Sequence, residues 1–480
     1  MTHRLESPRR HLPVHPPTPI QVCQVGQVSQ RARVSLLALT ALLGCGSSPA
    51  PATDTSADDS SIAKDARAAE SVVYLAQGGS DQNDGHSPSL PKGTWDAAIR
   101  AAGPGGTVYL SGRYFNQRIV IHASGSEGRP VTLKPDPANR GYVDGGQSKP
   151  AGTWREDNLI RIYGHDIVWD GIEIVNSPWN GLGFDDTGAR GVVRRTKVHN
   201  IYMQPLSTSA DDTLFEDNDV YDTELSNYDN TRLEGVWGSG IGTGWNWTEK
   251  RRVRRFTARR NKIRDNWGEN ISAFQCEGFT IADNDISPKT AVGIYADNAA
   301  NGVIERNWIH DGKGRALAFS SEPYGYTTLR DPPHDITWRN NVTRNCDFIA
   351  FIRDGRKTYY NLRFIGNTFY NTDFYVDRAD EGGARGNEFV DNVLDGNFHL
   401  VDMAAWSIHH NAWPRGNAQG SNALTGDPRF VNPAAATPEG LKIAPASPLR
   451  RAGAARSDLT TDYFGAARPS PPSIGAHEPM

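Results

Sequence analysis

Cysteine is scarce. The 480 residues hold four, Cys23, Cys45, Cys276 and Cys346, with no C-x-x-C pair. That excludes a disulfide framework and a zinc-ribbon pattern, and Cys276 and Cys346 read as small buried fillers. One charge sign is not in excess either: 51 Lys and Arg against 55 Asp and Glu give a net charge of −4, so any nucleic-acid footprint would have to be local. No G-x-G-x-x-G, P-loop, H-E-x-x-H or Ser-His-Asp pattern occurs. Glycine (48) and proline (30) are too few for collagen or for low-complexity disorder, and 12 Trp, 16 Tyr and 16 Phe exclude a disordered chain. The length would ordinarily mean two or three domains, unless the chain grows by stacking repeats.

Long apolar runs are also missing. The one stretch resembling a membrane signal, Val34 to Gly44, spans 11 residues, against about 20 for a spanning helix. It follows Arg31 and Arg33 and fits a signal h-region. Leu42, Gly44 and Cys45 resemble the lipobox of bacterial lipoproteins. The resemblance implies cleavage before Cys45, lipidation of its thiol, and a place in the cell envelope, as an outer-membrane or surface lipoprotein. Residues 45–70 read as a small, polar, disordered tether. Residues 1–30 are proline-rich and too long for a signal n-region, so the expected initiator is a later Val or Leu codon.

What is abundant is asparagine in one recurring context. LFEDNDVYD, FTARRNKIRD, FTIADNDIS, GVIERNWIHD, ITWRNNVTRN, LRFIGNTFYN and EFVDNVLDG each place an apolar strand before an Asn, one residue, then an apolar residue. The positions are Asn218, Asn261, Asn284, Asn307, Asn340, Asn367 and Asn392, with Asp170 and Thr196 at two earlier rungs. A period of about 22–26 residues with two inserted rungs predicts a stacked β-solenoid. Asn tolerates the left-handed corner and can bond its copy in the next coil.

Charge gives an independent register. Just before the ladder position stand Arg195, Asp217, Arg260, Asp283 and Arg306; just after it, Lys197, Asp219, Lys262 and Asp285. Alternating signs are what in-register stacking at about 4.8 Å favours. The segment 250–264, with nine basic residues in fifteen, then reads as part of this ladder rather than an RNA site. Lys250 to Arg255 fall outside it, and an anion-binding turn there stays an open alternative.

The Asn repeats, together with YLAQGGSDQNDGHSPSLPKGTWDAAIRAAGPGGTVYLSGRYF (74–115) and the GDPRFVNP to SIGAHE tail (426–478), resemble bacterial right-handed parallel β-helix proteins of the pectate-lyase-like superfamily. The resemblance implies an all-β fold: a capping helix at about 93–102, a parallel β-helix over 71–415 with three strands per coil, and a tail over 416–480. It further implies a polysaccharide partner and a groove on the outer face of the first strand of each coil. Alternation points Leu182, Phe184, Ile271, Ala273, Ile294, Ala296, Leu317 and Phe319 inward, and Asp185, Ser272, Phe274, Tyr295, Asp297 and Ser320 outward.

The two inserted rungs, about 223–252 and 321–334, flank that face over the coils of Ser272, Tyr295 and Ser320. Their aromatics Trp237, Trp245, Trp247, Tyr324 and Tyr326 are candidates for stacking on sugar. Two chemistries compete, with β-elimination the leading expectation and hydrolysis the alternative. β-Elimination from an acidic polysaccharide needs a base and a clamp, for which Lys289, Tyr295, Arg315 and Arg353 are candidates, with Asp185, Asp186 and Asp297 as calcium ligands. Glycoside hydrolysis needs paired carboxylates, here Asp297 and Glu322, with Glu269 in reserve. A third reading is a non-catalytic glycan-binding surface lipoprotein. The expected state is a monomer that binds no nucleic acid.

Overall fold

The computed structural model describes residues 71–148, 157–230, 238–320, 322, 332–352, 358–377, 379 and 383–479. Cys45, the leader and the tether lie outside them, as do Trp237, Tyr324, Tyr326 and Arg353. No helix among the described residues is long and apolar enough to cross a membrane.

Three sheets of 11, 13 and 17 strands contain nearly all the strand pairing among the described residues. Pairing between coils is parallel, coil on coil, so the chain is a parallel β-helix. The coil Val292–His310 shows the unit: strands Val292–Asp297, Ala300–Glu305 and Trp308–His310, one in each sheet. Corners are short because single residues take the left-handed backbone there: Asn298 at φ 48° and Arg306 at φ 51°. The N-terminal cap is the helix Trp95–Ala102. Thr94 is its N-cap and accepts the Ala97 N–H, and Trp95 stacks on the core Trp169. Every residue assigned inward by alternation is buried in one continuous core. Cys276 and Cys346 are buried, with their thiols pushed up to about 12 by desolvation.

The asparagine ladder is buried and continuous. The Asn284 side-chain amide donates to Asn307 Oδ1 at 2.9 Å and to the Ala258 carbonyl at 3.0 Å, while its backbone N–H donates to the same Asn307 oxygen. Asn261, Asn341, Asn367 and Asn392 repeat this pattern, and Asn411 ends the run. Two rungs differ from the sequence expectation. Asn341 fills the ladder in place of Asn340, and Ile174↔Val198 pairing puts Ile172, two residues past Asp170, level with Thr196. Asn340 instead takes the corner position at φ 52° and bonds the C-terminal segment through the Thr461 carbonyl and Arg468. Asp170 faces Arg194 on the neighbouring coil and pairs with it and with Arg195. The last coil pairing reaches Leu424–Thr425. Beyond it, Leu441, Ile443, Leu449, Ile474 and Ala476 pack against Trp308, Val342, Val393 and Ala412 of the 13-stranded sheet.

The charge register holds, with a direction that spacing did not give. Each arginine leans back to the preceding coil: Arg260 to Asp217 at 2.8 Å and Arg306 to Asp283 at 2.7 Å. Arg260 also reaches Glu216 at 2.6 Å. Lys197, Asp219, Lys262 and Asp285 stand in register, but Asp219 is bonded by Arg264 and Asp285 by His310. At the turn of Lys250 to Arg255, three of the arginines are engaged or buried. Arg251 pairs with Asp211 and Glu249, Arg255 with Asp212, and Arg252 is buried. Arg260→Asp should therefore lose about 1 kcal/mol in urea unfolding. An arginine at 283 leans back onto the new aspartate, so Asp283→Arg should recover part of the loss in a double-mutant cycle, whereas Asp217→Arg, which would have to lean forward, should recover less; equal rescue by both would mean the lean is not present in solution.

Candidate functional site

The 11-stranded sheet carries the face singled out by the sequence. Strands Ser239–Thr243, Glu269–Phe274, Val292–Asp297 and Arg315–Ser320 lie side by side in it. Register aligns Gly242, Ser272, Tyr295 and Ala318 along the outer face, and Phe274, Asp297 and Ser320 along the next outward line. Ser272, Tyr295, Asp297 and Ser320 are buried, and Val292, Tyr295 and Ala318 form an apolar cluster separate from the core.

Glu269 is the residue that alternation placed least well. Counting back from the inward Ile271 would send it into the core. Two features turn it outward. Gly268 passes so close to the preceding coil that a Cβ there would meet the Gly238 carbonyl at 2.3 Å. The Asn266 side chain then holds the Glu269 carbonyl at 2.5 Å, and Asn266 is itself held by Thr223. The Glu269 carboxylate receives the Ser272 hydroxyl and, at 3.2 Å, the Ser239 hydroxyl, both on Oε2. Oε1 makes no hydrogen bond among the described residues. The carboxyl is densely surrounded, although part of the residue reaches solvent, as at the floor of a cleft. Desolvation, with the charge of Glu322 acting in the same direction, pushes it up to about 8 against the two serine bonds.

Glu322 comes from the second insertion and folds back one coil. Asn298, at the left-handed corner after Asp297, donates to the Glu322 carbonyl at 2.6 Å and accepts its backbone N–H at 2.9 Å. The Glu322 carboxylate accepts the Tyr295 hydroxyl. Asp297 accepts the Ser320 hydroxyl at 2.5 Å. Burial first, then the charges of Asp297, Glu322 and Glu269, hold the Tyr295 phenol well above its ordinary range. Three carboxylates thus act on one buried phenol.

The remaining candidates separate from this cluster. Lys289 pairs with Asp265 at 3.1 Å and lies over the Trp267 ring. Trp245 is buried in an antiparallel hairpin opposite Arg252, so it offers no face to a sugar, while Trp247 is exposed. Asp185 is bonded by Arg161 at 2.6 Å, and Asp186 accepts the Thr248 backbone N–H at 2.6 Å. No cluster of three or more metal-ligating side chains occurs among the described residues. Arg315 stands on the same face opposite Val292, with its guanidinium over Phe348. Ser239 was not anticipated; its signal is the GSGIG segment in register with Glu269. The arrangement can hold a proton on Glu269 at neutral pH and present a second carboxylate beside it.

A family model described as "Right handed beta helix region" matches residues 230–369, the coils that carry this cluster. Among solved structures, the complex of XylC with xylose aligns at a TM-score of 0.58 and 11% identity, over 84% of this chain and 98% of that one. Pectate lyase Pel9A aligns at 0.47 and 16%, over 85% and 96%. An alginate lyase from Paenibacillus sp. str. FPU-7 aligns at 0.39 and 14%, over 64% and 94%. No curated protein matches the chain. The fold is the right-handed parallel β-helix.

Proposed function

We propose that the protein is a carbohydrate-active enzyme that hydrolyses a glycosidic bond with Glu269 as general acid and Glu322 as its carboxylate partner. The observation that carries this reading is the divided environment of the two carboxyls. Glu269 is pushed up to about 8, so it keeps its proton at pH 7, whereas Glu322 is the hydrogen-bond acceptor of a phenol. Two carboxyls with separate roles set by environment are what glycoside hydrolysis requires. Glu269 gives its proton to the leaving oxygen, and Glu322 serves the opposite side of the sugar as base or nucleophile. Tyr295 positions Glu322, and Asp297 with Ser320 backs the tyrosine. The XylC structure was solved with xylose, so this fold does carry a sugar elsewhere.

β-Elimination is less well served. Its base must lose a proton readily, and Tyr295 is held against doing so. Lys289 is engaged by Asp265, away from the carboxylates. The test is product analysis on neutral and uronate polysaccharides. New reducing ends without absorbance in the unsaturated-uronate band support hydrolysis; absorbance rising with product restores elimination. Anchoring through a lipid on Cys45 belongs to the same proposal: Cys45→Ser should release the protein from membranes or leave it uncleaved. Wild-type protein found in the medium with an unmodified Cys45 would overturn that part.

A further inference from the structure

Beyond the carboxylate cluster the same sheet face continues through strands Phe348–Ile352, Asp373–Val376 and Phe398–Leu400. Side chains on it form an unbroken line. The Arg315 guanidinium lies 5.1 Å from the Phe348 ring centroid, Phe348 is 6.3 Å from Tyr375, and Tyr375 stacks on His399 at 4.4 Å with 13° between planes. Tyr375 is 46% exposed and His399 is exposed. Tyr375 follows Tyr295, Ala318 and Ala350 in register, three rungs or about 14 Å along the axis.

Arg315 is the unusual member. Arg118 and Arg161 on this side of the coil are neutralised by Asp157 and Asp185. The Arg315 side chain donates no hydrogen bond and forms no ion pair among the described residues, and its Nε is buried without an acceptor. Asp347 is near enough for its carboxyl to feel the charge, yet makes no bond to it. A buried guanidinium donor without an acceptor is costly unless something else supplies the acceptor. Its face is fixed on Phe348, which leaves the edge of the fork for a carboxylate.

We propose that Arg315, Phe348, Tyr375 and His399 form a recognition strip for an acidic sugar, with Arg315 receiving a uronate carboxylate and Tyr375 stacking on a neighbouring ring. The strip rests on the hydrolase reading for its meaning as part of the substrate site. The carboxylates of Asp297 and Glu322 beside Tyr295 repel an anion at the point of cleavage, whereas Arg315 sits about 10 Å along the strand from the level of Tyr295. The substrate class is therefore an oligosaccharide whose uronate lies beside, and not at, the residue being cleaved.

The test compares retention of the whole protein on glucuronoxylan and on the same polymer with its carboxyls reduced. Wild type should prefer the acidic form. Arg315→Gln should weaken acidic binding about tenfold and leave the reduced polymer unaffected; Arg315→Lys should fall between. Tyr375→Ala, at an exposed position, should weaken both and guards against misfolding at Arg315. Equal retention of both polymers by wild type, or an Arg315→Gln variant with unchanged preference, overturns the strip. Glu269→Gln separates the two proposals: binding preference retained while no glycan is ever hydrolysed by wild type refutes the hydrolase reading alone. Hydrolysis indifferent to Arg315 and to substrate charge refutes the strip alone.

Discussion

Glu269→Gln should lower turnover by at least about 100-fold, the low end for a lost general acid, without lowering the melting temperature. Glutamine keeps the shape of the side chain and can still accept the Ser272 and Ser239 hydroxyls on its amide oxygen, so the local fold survives. What it loses is the proton. The pH dependence has a definite sign. Glu269 titrates at about 8, above the ordinary carboxyl value of 4.5, so its acid form persists through neutrality. Wild-type activity should fall as pH rises through about 8, and the residual activity of the glutamine variant should lack that limb. Stability follows the same linkage. The folded state binds the extra proton, so this contribution is full below about 4.5 and is lost as pH rises toward 8. A Glu269→Gln enzyme with wild-type turnover and an unchanged alkaline limb would remove Glu269 from the chemistry. Tyr295→Phe offers a graded companion. It deletes the hydrogen bond to Glu322 without touching Glu269, so the alkaline limb should persist while the rate drops.

The parts of this molecule governed by a period were legible in the sequence, and the parts governed by an exception were not. Alternation placed Ile294 and Ala296 inward and Tyr295 and Asp297 outward because a strand offers two faces and the core takes one. The ladder register slipped by one at WRNNV for a physical reason. The residue two after each ladder Asn is apolar in the neighbouring coils, and Val342 made Asn340 fit. The structure instead puts Thr343 there, buried, with its hydroxyl satisfied by Thr372. A threonine with a partner can fill an apolar position, and pattern alone does not display the partner. The candidate site was half legible. Asp297, Tyr295 and Ser272 point outward as alternation expects, and Glu322 reaches Tyr295, while Glu269, held in reserve in the sequence, joins them through an outward turn at Gly268, which crowds a different coil. Lys289 stands apart from this cluster because Asp265, also on another coil, pairs with it.

Asn284→Ala should be among the most destabilising single substitutions in the chain. The ladder is a row of buried amides in which each member serves two neighbours. Removing the Asn284 side chain takes the acceptor from both the Asn261 backbone N–H and the Asn261 amide, bonded to it at 3.0 Å each. It also frees the Ala258 carbonyl and Asn307 Oδ1 from the Asn284 amide donor. Leaving buried donors unsatisfied costs about 1–3 kcal/mol each, and alanine brings no compensating contact. The expected loss is about 3–5 kcal/mol, read as a lower urea midpoint with an unchanged slope. The position in the row matters. Asn411 ends the ladder, and its amide donates to the Phe389 carbonyl at 2.7 Å; Asn411→Ala orphans the two Asn392 donors but takes a donor from no further ladder oxygen, so it should cost less where coil stacking is giving way to the C-terminal segment. Aspartate at 284 separates hydrogen bonding from volume. It keeps the acceptor oxygen, so Asn261 stays satisfied, but it loses the amide donor and buries a charge. Asn284→Asp should therefore recover stability as pH falls and the carboxyl protonates, whereas Asn284→Ala should not. If the aspartate variant is as stable as wild type at neutral pH, the ladder amides are not sealed from water, and the account of the corner as a dry row of shared oxygens is wrong.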